Sequence, residues 1–175
     1  MFLRLFKYLW PERYLPETPA QDPFDENPPP CGPGRVGVLL VNLGTPDEPT
    51  RGAIRRYLGE FLSDPRVIEI PRYLWMPILH GLVLTMRPKK LAPRYAGIWM
   101  EEGSPLLVYS QRQAAGVRQG LAARGVHAEV ELAMRYGKPS IPAAITALRE
   151  RGCDHILAVP LYPQYAASTT ATVVD

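Results

Sequence analysis

The chain has 175 residues, 46% hydrophobic and 21% charged, ordinary proportions for a soluble globular fold with one core. A net charge of +3 is too mild to argue for nucleic acid, and two cysteines are too few for a disulfide framework. Cys31 and Cys153 also stand far apart in different contexts, which fits free thiols in a reducing cytoplasm.

Residues 1–34 read as a poorly ordered leader. Twenty prolines occur in the chain, several of them in its first fifty residues, and the leader closes on Asn27-Pro28-Pro29-Pro30-Cys31-Gly32-Pro33-Gly34. Prolines at that density join neither a ladder nor a helix interior. No run of ~18 apolar residues is present to form a spanning helix. Met1 to Trp10 is mostly apolar, but Arg4 and Lys7 lie inside the run and Pro11 ends it, unlike a secretory signal. On a helix those two cations share a face, a pattern that suits either a short anchor on an anionic membrane or docking on the protein's own surface.

The folded part, 35–175, begins with Val36 to Leu43, a continuous apolar run ended by Gly44-Thr45-Pro46, as in a strand buried on both faces. Thr50 caps a helix to about Leu62, with Ile54, Tyr57, Leu58, Phe61 and Leu62 as its apolar stripe. Tyr73 to Met86 contains Pro77 and Gly81 and reads as a broken helix or a lip, with helix resuming from Lys90 to Trp99. A Gly103-Ser104-Pro105 turn leads into a helix from about Val108 to Arg124. Ala128 to Met134 alternates like a strand, Ser140 caps a helix through Glu150, Gly152 stops it, and His155 to Leu161 reads as another buried strand. The alternation predicts an α/β fold: a parallel sheet with helices on both faces. Ser168-Thr169-Thr170 starts a helix with only about two turns after it, too little to pack, and this predicts a chain truncated at its C-terminus.

No Gly-x-Gly-x-x-Gly or Gly-x-x-x-x-Gly-Lys-Ser/Thr is present, so Gly44 is not a nucleotide fingerprint. In open parallel sheets, ligands sit at the carboxyl ends of strands. Asn42, Gly44 and Thr45 occupy one such end and Tyr162 to Ser168 another, and together they form one candidate site. The three histidines, His80, His127 and His155, are scattered and give no complete metal site. Between Arg51 and Arg94, nine Lys or Arg face three acids (Glu60, Asp64 and Glu69), interleaved with Tyr57, Phe61, Tyr73, Trp75, Leu79, Leu82, Leu84 and Met86. Apolar and aromatic groups mixed with cations suit a flat apolar ligand carrying carboxylates at its rim. A membrane-facing or solvated helix reads the same way, and RNA stacking is a weaker third reading.

Several segments resemble bacterial ferrochelatases: Gly37 through Pro46, Arg56-Tyr57-Leu58-x-x-Phe61-Leu62-Ser63-Asp64, Trp99-Met100-Glu101-Glu102-Gly103-Ser104-Pro105-Leu106, Met134-Arg135-Tyr136-Gly137, and Leu161-Tyr162-Pro163-Gln164-Tyr165-x-x-Ser168-Thr169. The resemblance covers 36–175 in order and spacing and excludes the leader. It implies the first of two Rossmann-like halves with porphyrin between them. The implied reaction is insertion of ferrous iron into protoporphyrin IX, releasing two pyrrole protons and completing haem.

It also implies porphyrin contacts at Leu43, Arg87, Tyr95, Ser104, Arg135, Tyr162, Gln164, Tyr165 and Ser168, with Asn42 fixing the turn. Where relatives carry a cluster-ligating cysteine this chain has Ala167, so no iron–sulfur cluster is expected. The family's metal-site histidine motif and partner glutamate belong to the second half, so this stretch is expected to hold no catalytic or metal residue. The expected setting is the cytoplasm, with the leader, which lies outside the resemblance, either in peripheral contact with the inner membrane face or docked on the protein's own surface. Two alternatives stay open: a non-catalytic porphyrin- or haem-binding half-protein, and a chelatase for another metal or for a tetrapyrrole such as coproporphyrin III.

Overall fold

The computed structural model describes residues 34–174. The leader up to Pro33, with its apolar start and Cys31, lies outside the described residues. Strand β1 (Val36–Thr45) is central in a parallel sheet ordered β2-β1-β3, with β2 at Glu129–Gly137 and β3 at His155–Pro160. Between β1 and β2 come α1 (Arg51–Leu62), α2 (Arg72–Ile78), a π-helical turn (Leu79–Val83), α3 (Leu84–Ile98) and α4 (Pro105–Ala123). Helix α5 (Ile141–Glu150) joins β2 to β3, and α6 (Ala171–Val174) follows.

Successive β1 residues point to opposite faces, so Val38 and Leu40 pack with Ala114 of α4, while Leu39 and Val41 pack with Ala144 and Leu148 of α5. Helices therefore cover both faces, as the alternation predicts. A third cluster, Ile54, Tyr57, Leu58, Leu62, Leu79, Leu84 and Tyr136, packs α1 and α3 against the end of β2. The hydroxyls of Thr50, Ser104 and Ser140 each accept a backbone N–H three residues on, capping α1, α4 and α5.

Three expectations change. Arg72 to Ile98 is one helical run through Pro77, Pro88 and Pro93, without the break expected near Gly81. Leu84 N–H bonds the Leu79 carbonyl five residues back. That wider turn brings Leu79 (0% exposed) and Leu84 (3%) onto the same core, whereas a regular helix would set residues five apart on different sides. Helix α4 begins earlier than expected, since Pro105 occupies its first turn behind the Ser104 cap. Finally, β3 is not buried: Leu157 is 57% exposed, because α4 and α5 lie mainly over β1 and β2, which leaves β3 less covered than β2, the other edge strand.

Candidate functional site

The register pairs Gly44 with Tyr136 and Thr45 with Gly137, which sets the carboxyl ends of β1 and β2 side by side. The Tyr57 hydroxyl donates to the Gly44 carbonyl at 3.2 Å, tying α1 to the same corner. Asp64, two residues beyond α1, is the hub. Its Oδ2 accepts from Arg135 Nη2 at 2.9 Å and from the Tyr136 hydroxyl at 2.9 Å, and its Oδ1 accepts from the Arg66 N–H at 2.8 Å. The Arg135 guanidinium also lies 4.7 Å from the Tyr136 ring centre. Two buried polar atoms have no hydrogen-bond partner among the described residues: Arg135 Nε and the Tyr162 hydroxyl.

Four phenols share this corner. Tyr57, Tyr95, Tyr136 and Tyr162 are close enough that the last three each disfavour ionisation of Tyr57, on top of burial, which raises it most. Burial, then the hydrogen bond to Asp64, pushes Tyr136 up to about 12, partly offset by the Arg135 cation. Tyr95 and Tyr162 are raised too, both by burial, with Arg135 pulling Tyr162 partly back. At neutral pH all four are uncharged hydrogen-bonding groups and not bases.

Of the predicted site residues, four come together: Leu43 and Tyr95 pack on the α1/α3 cluster, and Arg135 and Tyr162 carry the unpartnered atoms. Arg87 is exposed on α3, without an ion pair among the described residues. Ser104 is 2% exposed and its hydroxyl accepts the Leu107 N–H at 3.2 Å, so it serves first as a cap. Gln164 and Tyr165 are exposed beyond β3, and Ser168 is half-buried in the turn before α6. Asn42 bridges β1 to α4 through Ser110 Oγ at 3.0 Å and accepts the Leu43 N–H at 2.8 Å, with Asn42 and Leu43 both within β1 and ahead of the turn.

Sequence alone does not mark Asp64 as a site residue: it stands in the Arg56–Asp64 motif, but no spacing rule pairs an acid with an arginine 71 residues away.

The ferrochelatase family model matches residues 35–175. The chain belongs to the ferrochelatase family. It is 99% identical over all 175 residues to the ferrochelatase of Bordetella bronchiseptica, of which it covers 48%. Over 163 residues, 93% of the chain, it is 55% identical to the ferrochelatase of Dechloromonas aromatica, covering 42% of it. It is also 58% identical over 144 residues, 82% of the chain, to that of Methylibium petroleiphilum, covering 40% of it. The chain thus spans about half the length of the curated relatives it matches.

Several concave surfaces lie among the described residues of this ferrochelatase stretch. A cleft of about 200 Å³ lies between Thr45, Arg56, Tyr57, Glu60 and Lys138. A larger apolar groove, about 570 Å³, runs along α4 beside Leu40, Val117, Leu121 and Leu161, and no predicted porphyrin residue lines it. Neither is lined by Asp64, Arg135 or Tyr162, which meet at a separate corner beside the strand ends. Among the described residues no three His, Cys, Asp or Glu gather where a metal could be held. None of their helices is long and apolar enough to cross a membrane.

Proposed function

We propose that the full-length protein inserts ferrous iron into protoporphyrin IX, with residues 35–175 forming one wall of the porphyrin cleft. The supporting observation is the convergence of Leu43, Tyr95, Arg135 and Tyr162, from four separate stretches of sequence, at the carboxyl ends of the strands. Leu43 and Tyr95 offer apolar surface to a flat macrocycle, and the half-buried Arg135, with no hydrogen bond at Nη1 among the described residues, offers a cation to an acceptor on its rim. Binding energy from such remote contacts holds the ring in the reacting geometry.

With the phenols held neutral and Asp64 engaged by three donors, these residues orient porphyrin and leave its two pyrrole protons to a base elsewhere in the protein. Iron and porphyrin are both substrates, and haem is the product. Ala167 carries no ligating atom, so no iron–sulfur cluster is proposed at that position. The direct test assays full-length wild type and Arg135→Ala with ferrous iron and protoporphyrin. Haem formation by wild type and its loss in the variant support the reading; equal turnover removes Arg135 from the site.

The proposed setting is the cytoplasm, with the leader in peripheral contact with an anionic membrane. The apolar run Met1 to Trp10 with Arg4 and Lys7 supports that contact. Deleting residues 1–30 should abolish co-sedimentation with anionic vesicles, and unchanged association rules the leader out as anchor.

A further inference from the structure

We infer that Asp64 is a positioning residue that acts on the porphyrin through Arg135; this rests on the function proposed above. The Asp64 side chain is 10% exposed, and each of its oxygens already accepts a hydrogen bond from within the protein. It therefore has little left to offer a ligand directly. Its own carbonyl accepts the N–H groups of Val67 and Ile68, so the main chain fixes the carboxylate at the end of α1. Arg135 has the opposite character. A guanidinium has donors on three nitrogens, and Asp64 takes Nη2 while the Tyr136 ring bounds one side.

What remains buried and unpartnered is Nε, and the Tyr162 hydroxyl is in the same condition. Arg135 lies near the end of β2 and Tyr162 follows β3, and the cation is close enough to Tyr162 to influence it. Nη1 carries no hydrogen bond among the described residues and is not one of these buried atoms, so an acceptor atom of the tetrapyrrole, a carboxylate oxygen or a pyrrole nitrogen, meets the cation there. By choosing which guanidinium nitrogen is occupied, Asp64 sets which one the ligand meets. Without it, Arg135 regains rotamer freedom that binding must then remove.

The test is a double-mutant cycle on porphyrin affinity in the full-length Bordetella bronchiseptica relative, with substitutions at the positions matching Asp64 and Arg135. Fluorescence quenching gives Kd for protoporphyrin IX, and a thermal midpoint is recorded for each protein. Asp64→Asn is expected to weaken binding about fivefold in the wild-type background and to add nothing to Arg135→Ala. A merely structural carboxylate would weaken binding equally in both backgrounds, and that additivity overturns the inference, as does unchanged affinity in a folded Asp64→Asn. Should Asp64→Asn not fold, Asp64→Glu keeps the charge but displaces it, and the same coupling pattern is required of it. Failure of wild type to bind porphyrin would overturn the proposed function and this inference together. Binding with additive variants overturns the inference alone.

Discussion

Gly44 and Tyr136 lie side by side on β1 and β2, and the Tyr136 carbonyl stands where a Cβ on Gly44 would be. Gly44 also has φ +118, a conformation that side chains rarely adopt. Gly44→Ala therefore combines a backbone clash with dihedral strain and is expected to cost about 3 kcal/mol or more. Denaturant titration reads this as a lower midpoint. Gly81→Ala is the control, since its added Cβ meets nothing within 4 Å. Its stability should stay level or rise by up to about 1 kcal/mol.

Ser104 belongs to a motif shared with ferrochelatases, yet its buried hydroxyl is already engaged by the Leu107 N–H. Ser104→Ala should lower stability by about 1 kcal/mol through loss of the cap on α4. Ser104→Thr keeps the cap and should recover most of it. If porphyrin affinity falls in the alanine variant but stability does not, the hydroxyl belongs to the ligand and not to the helix.

The sheet and its helices were legible because their signals are local. Val36 to Leu43 is a short apolar run closed by Gly44, and Thr50 and Ser140 are caps placed directly before periodic segments. The long helix from Arg72 to Ile98 was not, because its prolines argue for interruption and only the buried packing of Leu79 and Leu84 through the π-helical turn overrides them. The exposure of β3 was hidden for a related reason: Ile156 to Val159 is apolar whether its strand lies at the centre of a sheet or at its edge. At the site, resemblance supplied Arg135 and Tyr162. Asp64, which orients one of them, becomes visible only when the end of α1 folds against β2.

The buried phenols make stability depend on alkaline pH. Tyr136 is raised from its ordinary value of 10.0 to about 12, so between these values the unfolded chain loses this proton while the folded chain keeps it. The unfolded state then binds fewer protons, and stability falls as pH rises. The Tyr136 contribution is fully present below pH 10 and is lost as pH passes through 12. Tyr57, Tyr95 and Tyr162 are shifted in the same direction. Tyr136→Phe removes one titrating group, so its denaturant midpoint should decline less steeply across this window than that of wild type. Equal slopes in the two proteins would rule out the coupling.

Arg87 separates ligand binding from folding most cleanly. It is exposed on α3 and has no ion pair among the described residues, so Arg87→Ala should change stability by no more than about 0.5 kcal/mol. If it pairs with a porphyrin carboxylate, removing this charge-assisted bond should weaken protoporphyrin binding by the full-length protein about tenfold. The dimethyl ester of the same porphyrin has no anion to lose, and its affinity should not move. Added salt should narrow the gap between wild type and variant for the free acid, since a cation this exposed is screened. Equal losses for acid and ester would mean that Arg87 contributes packing along its stem, and the carboxylate contact would then have to be made by another residue.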